Sequence, residues 1–92
     1  MTVAALRALL QQDDYTITMM NDGTGVLMDL RKETLLTLNG TAALILAGID
    51  EGASKDEIVA RVIQKYQVDE GTACTDVETF LVKLGEAVGV SG

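Results

Sequence analysis

Ninety-two residues, 48% of them hydrophobic and 23% charged, with no proline, describe one ordered domain, too small for a core plus a walled-off reaction chamber. Seven Lys and Arg against 14 Asp and Glu leave a net charge of −7, which repels nucleic-acid phosphates and anionic lipid surfaces, and a 3% aromatic content supplies little for stacking on bases. The absence of His excludes a histidine base or metal ligand, the single Cys forms no internal disulfide, and the apolar run Thr41 to Ile49 is far short of a membrane span, so the cytosol is the expected compartment.

Residues 1–14 read as a lead-in to a domain over residues 15–90. Val3, Leu6, Leu9 and Leu10 have the spacing of a short helix with one apolar face, a disordered lead-in being the alternative, and the segment lacks the early basic cluster and small-x-small cleavage site of a secretory signal. From Tyr15 the residue types become those of strands: Tyr15 to Met20, the turn Asn21-Asp-Gly-Thr-Gly25, then Val26 to Leu30. Asp22-Gly23 is a strong hairpin signal, because glycine supplies the positive φ of a tight turn. Arg31-Lys32 makes a second turn into Glu33 to Leu38, and the three strands form an antiparallel meander whose third strand lies at an edge.

Asn39 then suits a helix N-cap before the Ala/Leu/Ile-rich stretch Thr41 to Ile49. Ser54-Lys-Asp-Glu57 is a capping box for a second helix, which runs to Tyr66 with Ile58, Val59, Val62 and Ile63 on one face. A third helix begins near Glu70 and carries the stripe Ala73, Cys74, Val77, Phe80, Leu81, Leu84 and Val88. The fold class is therefore α+β, a three-stranded antiparallel sheet followed by three helices, elements that can form a winged helix-turn-helix.

No motif in this pattern carries catalysis. Gly23-Thr-Gly25 lacks the third glycine and following helix of a phosphate cradle, and Asn39-Gly-Thr41, formally a glycosylation sequon, sits where a cap is needed. Cys74 lies in an apolar stripe without a partner thiol, Met19 and Met20 read as strand filler, and Asp13-Asp14 and Asp50-Glu51 have no apolar neighbours to raise a carboxyl pKa for acid–base work. The chain is expected to be a non-enzyme with no cofactor and no metal.

Leu38-Asn39-Gly-Thr-Ala42, Gly52-Ala-Ser54-Lys-Asp-Glu-Ile58, Tyr66-Gln-Val68 and Asp76-Val77-Glu-Thr-Phe80-Leu81-Val-Lys-Leu84, in that order over about residues 15–90, resemble the PqqD-like family. Asp22 to Leu30 looks most like the stand-alone leader-binding half of split lasso-peptide B proteins. The sequence departs from the family in lacking a tryptophan near Leu46 and in ending Ala87-Val-Gly-Val. The resemblance implies recognition of the leader segment of a ribosomally made precursor peptide, which adds antiparallel to the third strand along Glu33, Thr34, Leu35, Leu36, Thr37 and Leu38. It also implies a groove against the third helix, with Leu35 or Leu36, depending on register, and Ala73, Val77 and Phe80 as apolar anchors. Asp76 would receive a basic leader residue and Lys83 an acidic one. The implied partners are the leader and a modifying enzyme such as a leader protease, cyclase or radical enzyme. Neither nucleic acid nor membrane is expected as a partner, and the chain would act as a monomer or weak homodimer.

Rival readings rest on other features. A winged-helix DNA binder needs basic helices, whereas Ser54 to Val88 holds Lys55, Arg61, Lys65 and Lys83 against seven acidic residues. A carrier protein needs an Asp-Ser-Leu context that neither Ser54 nor Ser91 has. A generic interaction or oligomerisation module with an associating sheet edge would show this same pattern.

Overall fold

A computed structural model describes residues 3–11 and 14–87 of the chain. The turn at Asp22-Gly23 is closed locally: Gly23 has φ of 89°, and Asp22 Oδ1 accepts hydrogen bonds from Thr24 N at 3.0 Å and Thr24 Oγ1 at 2.6 Å. These bonds favour the charged carboxylate and hold the Asp22 pKa below its usual value, the Thr24 hydroxyl being the larger cause. The turn joins β1 (Tyr15–Met19) to β2 (Gly25–Asp29), which pairs in turn with β3 (Thr34–Leu38), both pairings antiparallel, in the order β1-β2-β3. Glu33, expected at the head of the third strand, instead takes φ of 56° in the tight connection from β2, so β3 begins one residue later.

Side-chain alternation divides the sheet into two faces. Tyr15 and Ile17, Leu27 and Asp29, and Leu36 and Leu38 occupy the inner face, with Leu27, Asp29 and Leu38 buried. The outer face carries Thr16, Thr18, Met28, Leu35 and Thr37, of which Leu35 is 56% exposed.

Among the described residues four helices accompany the sheet: α1 (Val3–Leu10), α2 (Gly40–Glu51), α3 (Lys55–Tyr66) and α4 (Glu70–Ala87). Asn39 Oδ1 accepts from Ala42 N at 2.8 Å and starts α2, and Gly52, with φ of 96°, ends it. The capping box at α3 is complete, with Ser54 Oγ accepting from Glu57 N and Glu57 Oε1 from Ser54 N, both at 3.2 Å. Asp69 Oδ1 accepts from Thr72 N at 2.7 Å at the head of α4, whose expected last residue, Val88, lies outside the described residues. None of these helices is long and apolar enough to cross a membrane.

The inner faces meet in one core in which Leu6, Ile45, Leu46, Ile49, Ile58, Val62, Val77 and Leu84 are fully buried. Each such side chain contributes roughly 1.5–3 kcal/mol of burial free energy. At Gly48 an added Cβ would stand 2.8 Å from Ile58 Cγ1, so the missing side chain is what lets α2 and α3 approach closely. Residues 3–10, for which the sequence left a helix and a disordered lead-in open, form α1 and bury Val3, Leu6 and Leu10 in that same core.

Candidate functional site

The hydrogen-bond parity of the sheet fixes which backbone groups of β3 point away from it. Leu30 N donates to Asp14 O at 2.7 Å and Met20 N to Thr24 O at 2.8 Å, at the two ends of the β1–β2 ladder. Because bonded and non-bonded pairs alternate in an antiparallel ladder, Thr16, Thr18, Val26 and Met28 complete that set, and Gly25, Leu27 and Asp29 turn their backbone groups toward β3. Their partners there are Leu38, Leu36 and Thr34. Leu35 and Thr37 therefore direct both N–H and C=O outward, along an edge that has no neighbouring strand among the described residues.

A trough of about 390 Å³ runs beside this edge, between β3, the first turns of α2 and the middle of α4. Leu36, Thr37 and Leu38 line it from the strand, Asn39, Thr41, Ala42 and Ile45 from the strand–helix junction and α2, and Asp76, Thr79, Phe80 and Lys83 from α4. On α4, Asp76, Thr79, Phe80 and Lys83 follow the i, i+3, i+4, i+7 spacing of a single helix face. Asp76 and Lys83 stand exposed about two turns apart, and neither forms an ion pair with another described residue.

The residues proposed from sequence separate into groups. Leu36, Thr37, Leu38, Asp76, Phe80 and Lys83 come together around the trough. Of the two leucines left open by register, Leu36 faces the interior and the trough, whereas Leu35 projects from the outer face. Ala73 and Val77 do not line the trough: both are fully buried, because the i, i+4 row Ala73, Val77, Leu81 is the side of α4 that faces the core. Glu33 is exposed in the turn outside β3, and Thr34 with Leu35 borders a second cavity. Asn39, Thr41, Ala42, Ile45 and Thr79 were not foreseen, although the cap at Asn39 already implied that the first turn of α2 directly follows the edge strand.

The second cavity, of about 270 Å³, lies toward the start of β3 and is walled by Tyr15, Leu27, Asp29, Lys32, Thr34, Leu35, Leu36 and Ala87. Away from both cavities, Lys55 Nζ pairs with Glu78 Oε1 at 2.8 Å, which raises the lysine pKa and lowers that of the glutamate, and Arg61 is tied to Glu51. Two of the four basic residues on α3 and α4 are thus neutralised locally, which further weakens any cationic face for nucleic acid. Cys74 is half-buried and forms no disulfide.

The family model described as coenzyme PQQ synthesis protein D (PqqD) matches residues 24–87, a span that holds β2, β3, the trough and all of α4. Among solved structures, TbiB1 in complex with the TbiA(beta) leader peptide superposes with a TM-score of 0.75 at 26% identity, over 83% of this chain and 87% of that one. Lasso peptide synthetase B1 complexed with the leader peptide superposes with a TM-score of 0.73 at 25% identity, over 83% and 88% of the respective chains. No curated protein shows significant sequence similarity to the chain.

Proposed function

The chain belongs to the PqqD family, and on that premise we propose that it binds the leader segment of a ribosomally made precursor peptide by adding it as a fourth, antiparallel strand to the open edge of β3. The observation that carries this reading is the coincidence of two features: the outward backbone groups of Leu35 and Thr37, and the trough that opens directly beside them.

Magnitudes explain why both are needed. Four outward groups allow up to four ladder bonds at about 0.5–1.5 kcal/mol net each. Ordering a flexible peptide takes about 2–5 kcal/mol or more, so the ladder alone leaves little affinity. Inward side chains of the guest, seated against Leu36, Ile45 and Phe80, supply the remainder, and Asp76 and Lys83 at either end of the α4 face favour opposite guest charges. A total of roughly −8 to −10 kcal/mol gives micromolar to sub-micromolar binding, weak enough for release after processing.

In this reading the chain contributes recognition alone. The covalent steps belong to a partner enzyme, a leader protease, cyclase or radical enzyme, to which the domain delivers the leader as a monomer or weak homodimer in the cytosol.

Titration of fluorescent synthetic leaders, the TbiA(beta) leader among them, against the wild type and Leu36→Lys tests the placement. Micromolar or tighter binding by the wild type, weakened at least about tenfold in the variant, supports it. Equal binding by both, or binding by neither across the leaders, contradicts it.

A further inference from the structure

Asp29 is the one charged side chain that the described residues bury, at 4% exposure. Its Oδ1 accepts from Arg31 N at 3.1 Å and Lys32 N at 3.2 Å, which closes the turn from β2 to β3. Its Oδ2 is equally buried and has no hydrogen-bond partner among the described residues. The turn uses only one oxygen, so the cost of burying the other is unexplained by the fold. Asp29 borders the second cavity, where Leu27 and Leu36 supply apolar walls. Lys32 stands at the same cavity, yet its ammonium forms no ion pair among the described residues.

An added strand brings its own side chains to this place. Guest residues opposite Thr34, Leu36 and Leu38 point to the inner face, as those three do. In an antiparallel guest, the residue opposite Thr34 therefore follows by two or four positions the one that enters the trough beside Leu36 or Leu38.

Building on the strand-addition reading, we propose that the second cavity is a specificity subsite that takes a lysine or arginine side chain of the guest, its alkyl stem against Leu27 and Leu36 and its cationic head on Asp29 Oδ2. A cation is favoured over a neutral donor because a charge-assisted bond to a buried carboxylate is about twice as strong, and because the whole chain carries a net charge of −7. The alkyl stem matches the apolar walls, as long basic side chains do elsewhere.

The test is selection of a random peptide display library on the wild type, Asp29→Asn and Lys32→Ala, followed by titration of the selected peptides. Asparagine keeps the oxygen that receives the two turn amides, so the variant retains the β2–β3 connection. The expected outcome is a Lys or Arg preference two or four positions after an apolar anchor, lost on Asp29→Asn while the anchor preference persists, and sharpened on Lys32→Ala. Replacing that peptide lysine by norleucine should weaken binding to the wild type about tenfold and leave Asp29→Asn unaffected. If Asp29→Asn fails to fold, an absent norleucine effect on the wild type still overturns the subsite. A preference for hydroxyl-bearing residues there, or one unchanged by Asp29→Asn, also overturns it and leaves strand addition standing. Recovery of only those peptides that bind Leu36→Lys as well as the wild type would refute strand addition and the subsite together.

Discussion

Arg7 reaches across to Ile49: its Nε donates to the Ile49 carbonyl at 2.8 Å, and its Nη2 donates to Ala53 O at 2.9 Å. A cation thereby satisfies carbonyls at the C-terminal end of α2, where the helix dipole is negative. The consequence reaches the functional edge. β3 enters α2 at its N-terminal end, about 18 Å away along a twelve-residue helix, so α1 is pinned far from the end of α2 that borders the trough.

Arg7→Ala removes both bonds and is expected to lower stability by about 2 kcal/mol in urea unfolding, with the loss of charged donors to part-buried carbonyls as the cause. Leader affinity of the folded variant should stay within about twofold of the wild type, since Arg7 touches neither cavity. A variant as stable as the wild type would show that α1 is held by its buried Val3, Leu6 and Leu10 alone.

Gly48→Ala should invert the ordinary helix rule. Alanine normally favours a helix interior by about 1 kcal/mol over glycine, but here the new Cβ meets Ile58 Cγ1 at 2.8 Å, and overpacking of this kind costs about 1–3 kcal/mol. A lower melting temperature is expected, with the penalty reduced in an Ile58→Ala background because the clashing atom is gone. Equal penalties in the two backgrounds would place the strain elsewhere.

Acid should weaken the fold through its caps and its α3–α4 ion pair. Glu57 is held below the usual carboxylate range chiefly by its bond from the Ser54 backbone, Asp69 by the Thr72 backbone, Asp22 by the Thr24 hydroxyl and Glu78 by Lys55. A depressed folded-state pKa contributes stability that is present above the unfolded value and lost as pH falls through the folded one. Thermal melts followed by circular dichroism should therefore show stability falling from about pH 5 toward pH 2, with a shallower fall in Asp69→Asn. An unchanged slope in that variant would remove Asp69 from the account.

Much of this architecture is legible in the chain because its signals are local. Asp22-Gly23, Asn39 and the Ser54 to Glu57 box each specify a turn or cap through atoms a few residues apart, and the structure makes those bonds. What the chain does not display is which of two adjacent helix faces meets the sheet. Ala73 and Val77 share the apolar stripe of Phe80, yet a small rotation about the α4 axis sends the first two into the core and leaves Phe80 bordering the trough. Asp29 is hidden for a related reason: an acidic residue at a strand end reads as solvated, and only its place two residues beyond Leu27 on the inner face puts it in the interior. Glu33 likewise carries no local signal against a strand, yet its left-handed backbone, at φ of 56°, keeps it in the turn and shortens β3.

Thr37→Pro separates the edge from the fold. The Thr37 N–H points outward, so proline there removes no bond to β2, and an edge strand is where a sheet tolerates proline. Melting temperature should change little, whereas leader binding should weaken about tenfold or more, because one ladder donor is lost and the ring occupies the guest's path. Undiminished binding would mean that the guest does not run along Thr37.

The most direct test of strand addition is amide hydrogen exchange of the protein, followed residue by residue by NMR with and without a bound leader peptide. The N–H groups of Leu36 and Leu38, bonded to β2, should be protected in both states, whereas those of Leu35 and Thr37 should exchange rapidly in the free protein and become protected in the complex. New protection at Ile17 and Met19 on the β1 edge instead, or none at Leu35 and Thr37 under saturating peptide, would contradict the account.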